Sequence, residues 1–500
     1  MRAWLWVLPA ALAGCDWLVV DTGDGGADFD VVSAGDAAGV DASAVDTAGR
    51  LLTALQVEPE SLAVALGETA RLSVTASYGD GTTGDVTASC GWSYNPPGIV
   101  TVAGGVVTPT QQGQTQVTAN LHGIYSNAVA VTVAAAAARE ARGVWVTRWN
   151  YSSAADVRDV VQQLADHGFN QIYFQIRGTA DAYYDSTIEP WAKGLSGTLG
   201  VDPGWDPLQV AISAAHSHGL ELHAWLNTFP AWTCGAALPE SSGIAHVLEA
   251  HPEWSAVDSG GTPMLGHCSE GYVSLSPGIP AVQDHIAAVV EDIVSRYQVD
   301  GIHLDYIRYP GPSYSHDGVS DQRYTEAHDA DASLTRAEWQ RQQVSATVQK
   351  AFAEVVEHRP AAWLSAAVWF VYKNEWGWST SQGYVDYFQD PRTWSAGGYI
   401  DAVAPMIYFP LTDPPGQNLD FGTMLEDHVA GNAGRNVYAG IHGDYDSFTE
   451  IADEIDFTRQ HGGAGFIVFA YTYLQSHDYW DEMLAGPLAT PALPPLHGWR

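Results

Sequence analysis

The stretch VDGIHLDYIRYP, residues 299–310, changes from apolar to polar within a few positions. An alternating strand pattern runs to Leu304, and Asp305, Arg308 and Tyr309 follow it with no helix in between. A carboxyl group can transfer a proton, a guanidinium can hold a carboxylate in two bonds, and an aromatic ring can stack on an apolar sugar face. These residue types at the end of a core strand predict a binding or catalytic site.

Other apolar runs end in the same way. The polar or aromatic residues at their ends are Arg148, Trp149, Arg177, His223, Trp225, Asn227, Trp369, Tyr408, Asp444 and Tyr471. Together with Arg308 and Tyr309 they are the predicted substrate-binding residues. The tryptophans are expected to stack on sugar rings and Arg177 and Asn227 to hold hydroxyls or a carboxylate, while His223 orients a neighbour.

The elements that position these residues follow from the period of the pattern after Arg142. Strand-like apolar runs alternate with helical segments, and several helices end at a glycine that suits a left-handed C-terminal cap, namely Gly168, Gly219 and Gly462. Eight such units over about 350 residues predict an α/β fold, a (β/α)8 barrel over residues 140–485. A doubly wound open sheet is the alternative, but the first strand lacks a Gly-rich phosphate loop.

The first residues resemble an export signal. A basic start, the apolar run AWLWVLPAALAG and Cys15 resemble a bacterial lipobox over residues 1–15, so Cys15 is predicted to be lipidated. An ordinary signal peptide is the alternative. Residues 16–50 are rich in Asp, Gly and Ala, which predicts a disordered acidic tether. The expected location is the cell envelope, lipid-anchored to a membrane and facing the periplasm or the exterior.

Residues 51–134 carry short alternating strands separated by turns such as YGDGTTGD and NPPG. The segment resembles the bacterial Ig-like group 2 module, which implies an all-β sandwich acting as a spacer. Residues 486–500 are a Pro-rich tail.

Composition narrows the partners. The chain has 58 acidic and 21 basic residues, a net charge of −37 that argues against nucleic acid. Its 19 Trp and 23 Tyr suit a carbohydrate partner. With Cys15 used for lipid, Cys90, Cys234 and Cys268 remain, and the last two are able to pair because they flank one insertion. No His/Cys ligand spacing occurs, so no metal or other cofactor is predicted.

Several blocks together resemble glycosyl-hydrolase-like family 10, barrel proteins related to glycoside hydrolases. They are RGVWVTRW, YFQIRGTADAYYDSTIEPWAKGLSGTLG, DPLQVAISAAHSHGLELHAWLN, HPEW, SPGIPAVQDHI, YQVDGIHLDYIRYP, QDPRTW and DAVAPMIY. The resemblance implies a hydrolytic barrel acting on glycans, plausibly peptidoglycan glycan strands. Many relatives carry a second Asp where this chain has Tyr306, which leaves Asp305 as the strand-four carboxylate.

Glycoside hydrolysis generally uses two carboxyl groups. Asp305 is the first predicted catalytic residue, and Glu375, Asp181 and Asp444 are candidates for its partner. The expected function is an envelope-anchored glycoside hydrolase, and the alternative is a non-catalytic carbohydrate-binding or adhesive lipoprotein. A metal-dependent deacetylase or amidase is a third possibility that would need ligand clusters the sequence lacks. The sequence does not predict an oligomeric state.

Overall fold

The described part of the chain forms two compact units. A computed structural model describes residue 45 and residues 49–136, 138–237, 241–411, 419–496 and 499. The chain divides between Ala135 and Ala136, and each unit has its own hydrophobic core. The predicted signal segment with Cys15 lies outside the described residues, as does most of the predicted tether.

The described residues of the first unit form β-strands and a 3-10 turn, Thr87–Ser89. The strands are β1 (Leu52–Glu58), β2 (Ser61–Ala65), β3 (Ala70–Arg71), β4 (Ser73–Tyr78), β5 (Thr83–Asp85), β6 (Gly91–Asn95), β7 (Val100–Ala103), β8 (Val106–Pro109), β9 (Gly113–Leu121), β10 (Ile124–Tyr125) and β11 (Val129–Ala134). They pair mainly antiparallel, as in β1-β4-β5 and β10-β9-β11, whereas β11 and β2 run parallel. The predicted all-β class is confirmed, and the Ig-like assignment stays a prediction.

The second unit is built on a closed barrel of parallel strands. The strands of this unit are β12 (Ala138–Arg139), β13 (Ala141–Val146), β14 (Gln171–Arg177), β15 (Glu221–Asn227), β16 (Pro230–Thr233), β17 (Tyr272–Ser274), β18 (Gly301–Asp305), β19 (Trp363–Val368), β20 (Ala402–Ile407), β21 (Asn436–His442), β22 (Gly465–Phe469) and β23 (Ala492–Leu493). The barrel order is β13-β14-β15-β18-β19-β20-β21-β22, closed by β22 on β13. The predicted (β/α)8 barrel is confirmed.

Helices connect the barrel strands. Their bounds are α1 (Ala154–Asp166), α2 (Lys193–Ser196), α3 (Pro207–Ser217), α4 (Val247–Ala250), α5 (Pro280–Arg296), α6 (Gly318–Ala330), α7 (Arg336–His358), α8 (Gly383–Asp386), α9 (Pro391–Gly397), α10 (Phe421–Gly431), α11 (Phe448–Gln460), α12 (Tyr471–His477) and α13 (Trp480–Ala485). Helix α1 begins with a capping box between Ser153 and Asp156. Gly168, Gly219 and Gly462 have φ of +79°, +73° and +85°, which confirms the predicted left-handed caps. Within the described ranges, no helix has both the length and the apolar character needed to cross a bilayer.

Strand alternation divides the barrel unit into an outer and an inner core. Every residue of β14 is buried. Ile172 and Phe174 belong to the core between strands and helices, whereas Tyr173 belongs to the core inside the barrel. Successive side chains point to opposite faces of a strand, so the parallel strands bury both faces and end together at one rim. We call this C-terminal rim the mouth and the opposite, N-terminal end the floor.

The end of the chain returns to the floor. Strand β23 pairs with β12, and Leu493 accepts a hydrogen bond from the backbone N–H of Glu140. Trp499 packs edge-on against Trp363 and donates its indole N–H to Asp401 over 2.8 Å. The described part of the Pro-rich tail is therefore attached to the barrel.

Candidate active site

The mouth of the barrel holds a cavity of about 330 Å³, which we call the first cavity. It is lined by Trp145, Thr147, Arg148, Trp149, Gln175, Trp225, Asn227, Tyr272, Asp305, Tyr306, Arg308, Ala367, Met406, Tyr408 and Phe469. Most of these residues lie at or just beyond the C-terminal ends of barrel strands, where the strand pattern predicted a site. The predicted residues that the structure brings together here are Arg148, Trp149, Trp225, Asn227, Asp305, Arg308 and Tyr408.

Asp305 is the last residue of β18 and is buried in the wall of this cavity. Burial raises the pKa of its carboxyl above the ordinary value, because the charged form is poorly solvated. The positive charge of Arg308 and the backbone N–H of Tyr306, 2.6 Å from Oδ1, offset this only in part. The indole N–H of Trp225 also lowers the pKa, in a geometry too loose for a formal hydrogen bond. A carboxyl group in this setting suits proton donation.

Arg308 places a guanidinium between the carboxyl and aromatic rings. Its Nη1 lies 3.5 Å from Oδ1 of Asp305, which is long for a hydrogen bond, and Nη1 has no hydrogen-bond partner among the described residues. The guanidinium carbon lies 4.3 Å from the ring centre of Tyr306 and 5.3 Å from that of Trp369. The side chain is held in place by stacking, and its Nη1 is a buried donor that lacks a partner among the described residues.

Tyr306 has a backbone φ of +49°, in the left-handed region that non-glycine residues rarely adopt. Such strain costs roughly 1–3 kcal/mol and clusters at functional sites. Burial and then the neighbouring Asp305 carboxyl raise the pKa of Tyr306 to about 12, so the phenol stays protonated at neutral pH. Tyr306 can therefore donate a hydrogen bond but is a poor nucleophile.

A hairpin formed by β16 and β17 supplies a further wall. Tyr272, at the start of β17, packs edge-on against Tyr306 with ring centres 5.7 Å apart. Its hydroxyl accepts a hydrogen bond of 3.3 Å from Arg148, which follows β13. The guanidinium of Arg148 also lies 4.4 Å from the ring centre of Trp149, whose side chain is 71% exposed. The hairpin thus joins the ends of two strands, and Trp149 offers an open aromatic face beside the cavity.

Asn227 and Tyr408 lie at the cavity as predicted, each with a defined neighbourhood. The amide of Asn227 donates to the Gly178 carbonyl and accepts from Gln175, so it mainly fixes the wall. Tyr408 stacks on Phe469 with ring centres 5.2 Å apart. Burial, followed by the charge of Asp305, raises the pKa of Tyr408.

A second cavity of about 310 Å³ adjoins the first. The two share Tyr272, Tyr306 and Arg308, which form the partition between them. Trp369, predicted to bind substrate, lines the second cavity and is half-buried. The mouth thus contains two adjoining compartments.

Two predicted binding residues, Arg177 and His223, are buried and line neither cavity. Arg177 is fully buried and forms two hydrogen bonds of 2.7 and 2.8 Å with Glu189. Its Nη1 donates to backbone carbonyls after β15, so no donor faces the mouth. His223 stacks on Tyr173 inside the barrel, and its Nε2 lies 3.3 Å from Glu221 at the floor. The predicted binding roles of Arg177 and His223 are corrected.

Three further predicted binding residues point elsewhere. Tyr309 lines the second cavity but is completely buried, with its ring edge-on to Phe388. Tyr471 packs against Trp480 on the outside of the barrel. Asp444 is exposed and pairs with His477 over 2.8 Å. None of the three lines the first cavity, and Tyr309 alone lines the second, so their contacts with substrate stay predictions.

The candidates for the second carboxyl also lie outside the cavity linings. Glu375 is exposed on the loop after β19 and lines neither cavity. Asp181 is buried, and its carboxylate accepts hydrogen bonds from the N–H and the hydroxyl of Thr179. Asp181 therefore stabilises a turn after β14. The prediction that Glu375 or Asp181 acts with Asp305 is not supported by their positions.

Residues that the sequence pattern missed complete the site. Tyr272 and Glu270 come from the hairpin that enters the mouth between β15 and β18, not from the end of a barrel strand. The signal available for this segment was the cysteine pair, since Cys234 and Cys268 form a disulfide at its base. Phe469, by contrast, ends β22, so the strand pattern that predicted Tyr408 could also have predicted Phe469.

Comparison with curated proteins gives two informative relatives. The chain is 30% identical over 292 residues to "Glycosyl hydrolase YngK" of Bacillus subtilis (strain 168), covering 55% of this chain and 55% of that protein. It is 30% identical over 306 residues to "Glycosyl hydrolase DigH" of Escherichia coli (strain K12), covering 54% of this chain and 66% of that protein. The chain thus spans between about half and two thirds of the length of these relatives.

A distant likeness exists to a solved structure, the PgaB (BpsB) glycoside hydrolase domain from Bordetella bronchiseptica. The TM-score is 0.48 at 12% identity, covering 71% of this chain and 100% of that domain, which is too distant to support an argument. The family model for Glycosyl hydrolase-like 10 matches residues 140–444, more than half of the chain, including every residue that lines the two cavities except Phe469. The chain belongs to the Glycosyl hydrolase-like 10 family.

Proposed function

We propose that the protein is a glycoside hydrolase in which Asp305 donates a proton to the glycosidic oxygen. The observation that carries this proposal is the buried Asp305 carboxyl, with its raised pKa, in an aromatic cavity at the barrel mouth. Cleaving a glycosidic bond requires an acid that is still protonated near the working pH. Burial supplies that property here without a neighbouring carboxylate.

The remaining residues of the first cavity fit sugar binding. The open face of Trp149 can stack on a pyranose ring, and the rings of Tyr408 and Phe469 form an apolar wall. Arg148 and Arg308 carry guanidinium groups into the cavity. A guanidinium can hold hydroxyl groups, or the carboxylate of an N-acetylmuramic acid unit in two bonds. These features support a polysaccharide substrate, and the match of a guanidinium to the carboxylate of N-acetylmuramic acid favours the glycan strands of peptidoglycan.

The proposed setting is the cell envelope. The lipobox-like segment ending in Cys15 supports a lipid anchor, and residues 16–50 would separate the folded units from the membrane. The Cys234–Cys268 disulfide supports an exported protein, since disulfides persist in oxidising compartments. Labelling with a radioactive fatty acid tests the anchor, with Cys15→Ser as the variant that should lose the label.

The experiment that tests the activity measures reducing ends released from peptide-free glycan strands. The wild-type protein is expected to release them, and Asp305→Asn is expected to lower the rate by about 10²–10⁴-fold, the usual contribution of a general acid. Asp284→Asn is the matched control, since Asp284 is an exposed carboxylate on α5 paired with Lys350. An Asp305→Asn protein with full activity would overturn the assignment.

A non-catalytic carbohydrate-binding protein is the second candidate. It is favoured by a specific observation: among the described residues lining the first cavity, Asp305 alone carries a carboxyl group. A binder would hold glycan strands without releasing reducing ends over long incubation. Asp305→Asn would then leave the binding isotherm and the absent turnover unchanged.

A further inference from the structure

The second cavity contributes a carboxyl group that the strand ends do not supply. Glu270 lines this cavity together with Trp369 and Tyr387. Among the described residues that line either cavity, only Asp305 and Glu270 carry carboxyl groups. The two therefore lie on either side of the partition formed by Tyr272, Tyr306 and Arg308.

The hairpin holds Glu270 at defined points. Cys268, two positions before it, is bound to Cys234 by the disulfide. Gly271, the next residue, accepts a hydrogen bond of 3.0 Å from the backbone N–H of Cys234. Tyr272 then pairs with Thr233 in the β16–β17 ladder and contacts Tyr306. Glu270 is exposed, but the backbone on both sides of it is tied to the same short strand.

We propose that Glu270 is the second carboxyl of the hydrolysis and activates the attacking water. This inference rests on the proposed glycoside hydrolase function and adds to it the residue that completes the reaction. Tyr306 and Arg308 line both cavities, so Asp305 and Glu270 each line a cavity that includes these same two side chains. Enzymes that invert the anomeric centre keep their carboxyls roughly 6.5–9.5 Å apart so that a water fits between substrate and base.

Other groups at the mouth fit this role less well. Tyr306 keeps its proton at neutral pH, because burial raises its pKa to about 12. Asp181 already accepts hydrogen bonds from Thr179, and Glu375 lines neither cavity. Arg308 and the hydroxyl of Tyr272 can donate hydrogen bonds that position the substrate.

The proposed step balances as a single displacement. Glu270 takes one proton from water while the water oxygen forms a bond to the anomeric carbon. The bond from that carbon to the glycosidic oxygen breaks, and Asp305 gives its proton to the departing oxygen. Two hydroxyl products result, and exchange with solvent returns the proton to Asp305 and removes it from Glu270.

The test uses the full chain with Glu270→Gln and Glu270→Ala, assayed on peptide-free glycan strands. Both variants are expected to lower kcat by at least 10²-fold with little change in KM. Glu253→Gln is the matched control, since Glu253 is an exposed carboxylate in the same insertion and lines neither cavity. An equal thermal midpoint in wild type and variants establishes that the fold is intact.

Rescue by azide distinguishes a catalytic role of Glu270 from a structural one, because azide would not repair a damaged structure. Azide needs no deprotonation, so it should restore turnover in Glu270→Ala and form a glycosyl azide of inverted configuration, with Asp305 still protonating the leaving oxygen. Wild-type product should likewise show inversion of the anomeric proton signal. Retention in the wild type, or absence of azide rescue in a folded variant, would overturn the assignment.

The outcomes separate this inference from the proposed function. If wild type hydrolyses the glycan, Asp305→Asn is inactive and Glu270→Gln remains fully active, the role of Glu270 is wrong and the hydrolase stands. If the wild type releases no reducing ends, the proposed function fails, and with it the role of Glu270.

Discussion

Polar residues at the mouth and at the floor of the barrel differ in whether their hydrogen bonds are made within the protein. At the floor, Gln171 donates to Glu221 over 2.7 Å, and Tyr173 donates to Gln171 over 3.1 Å. At the mouth, Nη1 of Arg308 and Nε1 of Trp225 have no hydrogen-bond partner among the described residues. The mouth also encloses about 330 Å³ of cavity. Polar groups at the floor largely hold one another, whereas those at the mouth keep capacity for a ligand.

The layer of side chains between the floor and the mouth shows that hydrogen bonding changes within two positions of one strand. His303 is fully buried, accepts a hydrogen bond from the Trp145 indole and lies 2.9 Å from the Ser365 hydroxyl. Burial holds its pKa well below the ordinary value, so the imidazole is neutral. Two residues further along the same strand, Asp305 faces the cavity. Because unsatisfied buried groups cost free energy, the unpaired donors that line the cavity mark a place where binding can repay that cost.

The largest effect is expected in the pH profile of hydrolysis, which tests the role of Asp305 at the mouth. As a general acid Asp305 must be protonated, so kcat/KM should fall about tenfold per pH unit above its raised pKa. Arg308→Gln removes the charge that lowers this pKa, and the descending limb should move to higher pH. Arg308→Lys keeps the charge and serves as the control. An unmoved limb in Arg308→Gln would contradict the assignment of that limb to Asp305.

The next largest effect is expected from breaking the buried ion pair between Arg177 and Glu189. Burial works to raise the pKa of Glu189, but Arg177 and His285 outweigh it and lower the pKa to about 2. Glu189→Gln leaves the buried Arg177 charge uncompensated and should lower the free energy of unfolding by about 3–5 kcal/mol. Asp284→Asn, which breaks an exposed pair, should cost less than about 1 kcal/mol. Denaturant unfolding measures both, and equal losses would contradict a structural role for Glu189.

His303→Leu examines the layer beneath the mouth. It leaves the Trp145 indole without its partner and the Ser365 hydroxyl with only the Ile302 carbonyl, and it should lower the free energy of unfolding by about 2–4 kcal/mol. His303→Gln, which can still accept from the indole, should recover part of that loss. Urea titration followed by fluorescence measures the change. A Leu variant as stable as the wild type would show that this network adds nothing.

Glu454 lies outside the mouth but resembles the groups there, since one of its buried carboxyl oxygens lacks a partner among the described residues. Its Oε1 accepts from Tyr445 over 2.9 Å, and its Oε2 has no partner among the described residues. Burial raises the pKa of Glu454 well above its ordinary value. Its stabilising contribution is therefore complete below the unfolded-state pKa and is lost as pH rises through the folded-state pKa.

Glu454→Gln should weaken this pH dependence, since glutamine keeps the acceptor for Tyr445 and carries no charge. Thermal midpoints from pH 5 to 8 compare the two proteins. Asp453→Asn, at an exposed acidic position on the same helix, is the control. If the wild type gains stability with rising pH over this range and the variant does not differ from it, burial of Glu454 has no energetic consequence.

The smallest effect is expected at the open aromatic face. Trp149→Ala removes a side chain that is 71% exposed, so stability should change by less than about 0.5 kcal/mol. If the ring stacks on a sugar, KM should rise several-fold with kcat nearly unchanged. Trp149→Phe, which keeps an aromatic face, should retain most of the affinity. An unchanged KM in the Ala variant would place the substrate away from Trp149.

The barrel and the location of its site were predictable from the sequence because they depend on local patterns. The alternating strands, the helices between them and the caps at Gly168 and Gly219 each follow from a few neighbouring residues. Parallel strands in a barrel end at one rim, so Asp305, Trp225 and Tyr408 were correctly placed together.

Local patterns did not predict whether each polar side chain pairs within the protein or lies at the cavity. Arg177 and Arg308 both follow apolar strands, and a strand pattern cannot distinguish them. Arg177 meets Glu189 and is buried with its donors occupied, whereas Arg308 stacks among aromatic rings beside Asp305. The difference comes from partners contributed by loops, whose path depends on contacts distant in sequence.

The sequence by itself therefore determined the α/β barrel, the all-β unit before it and the rim at which chemistry is possible, because hydrophobic period is a local property. Only the tertiary structure decided that Arg177 and His223 serve the interior and that the disulfide-linked hairpin brings Tyr272 and Glu270 to the mouth. Hydrogen-bond satisfaction and burial are properties of the packed molecule, since they depend on which distant side chains meet.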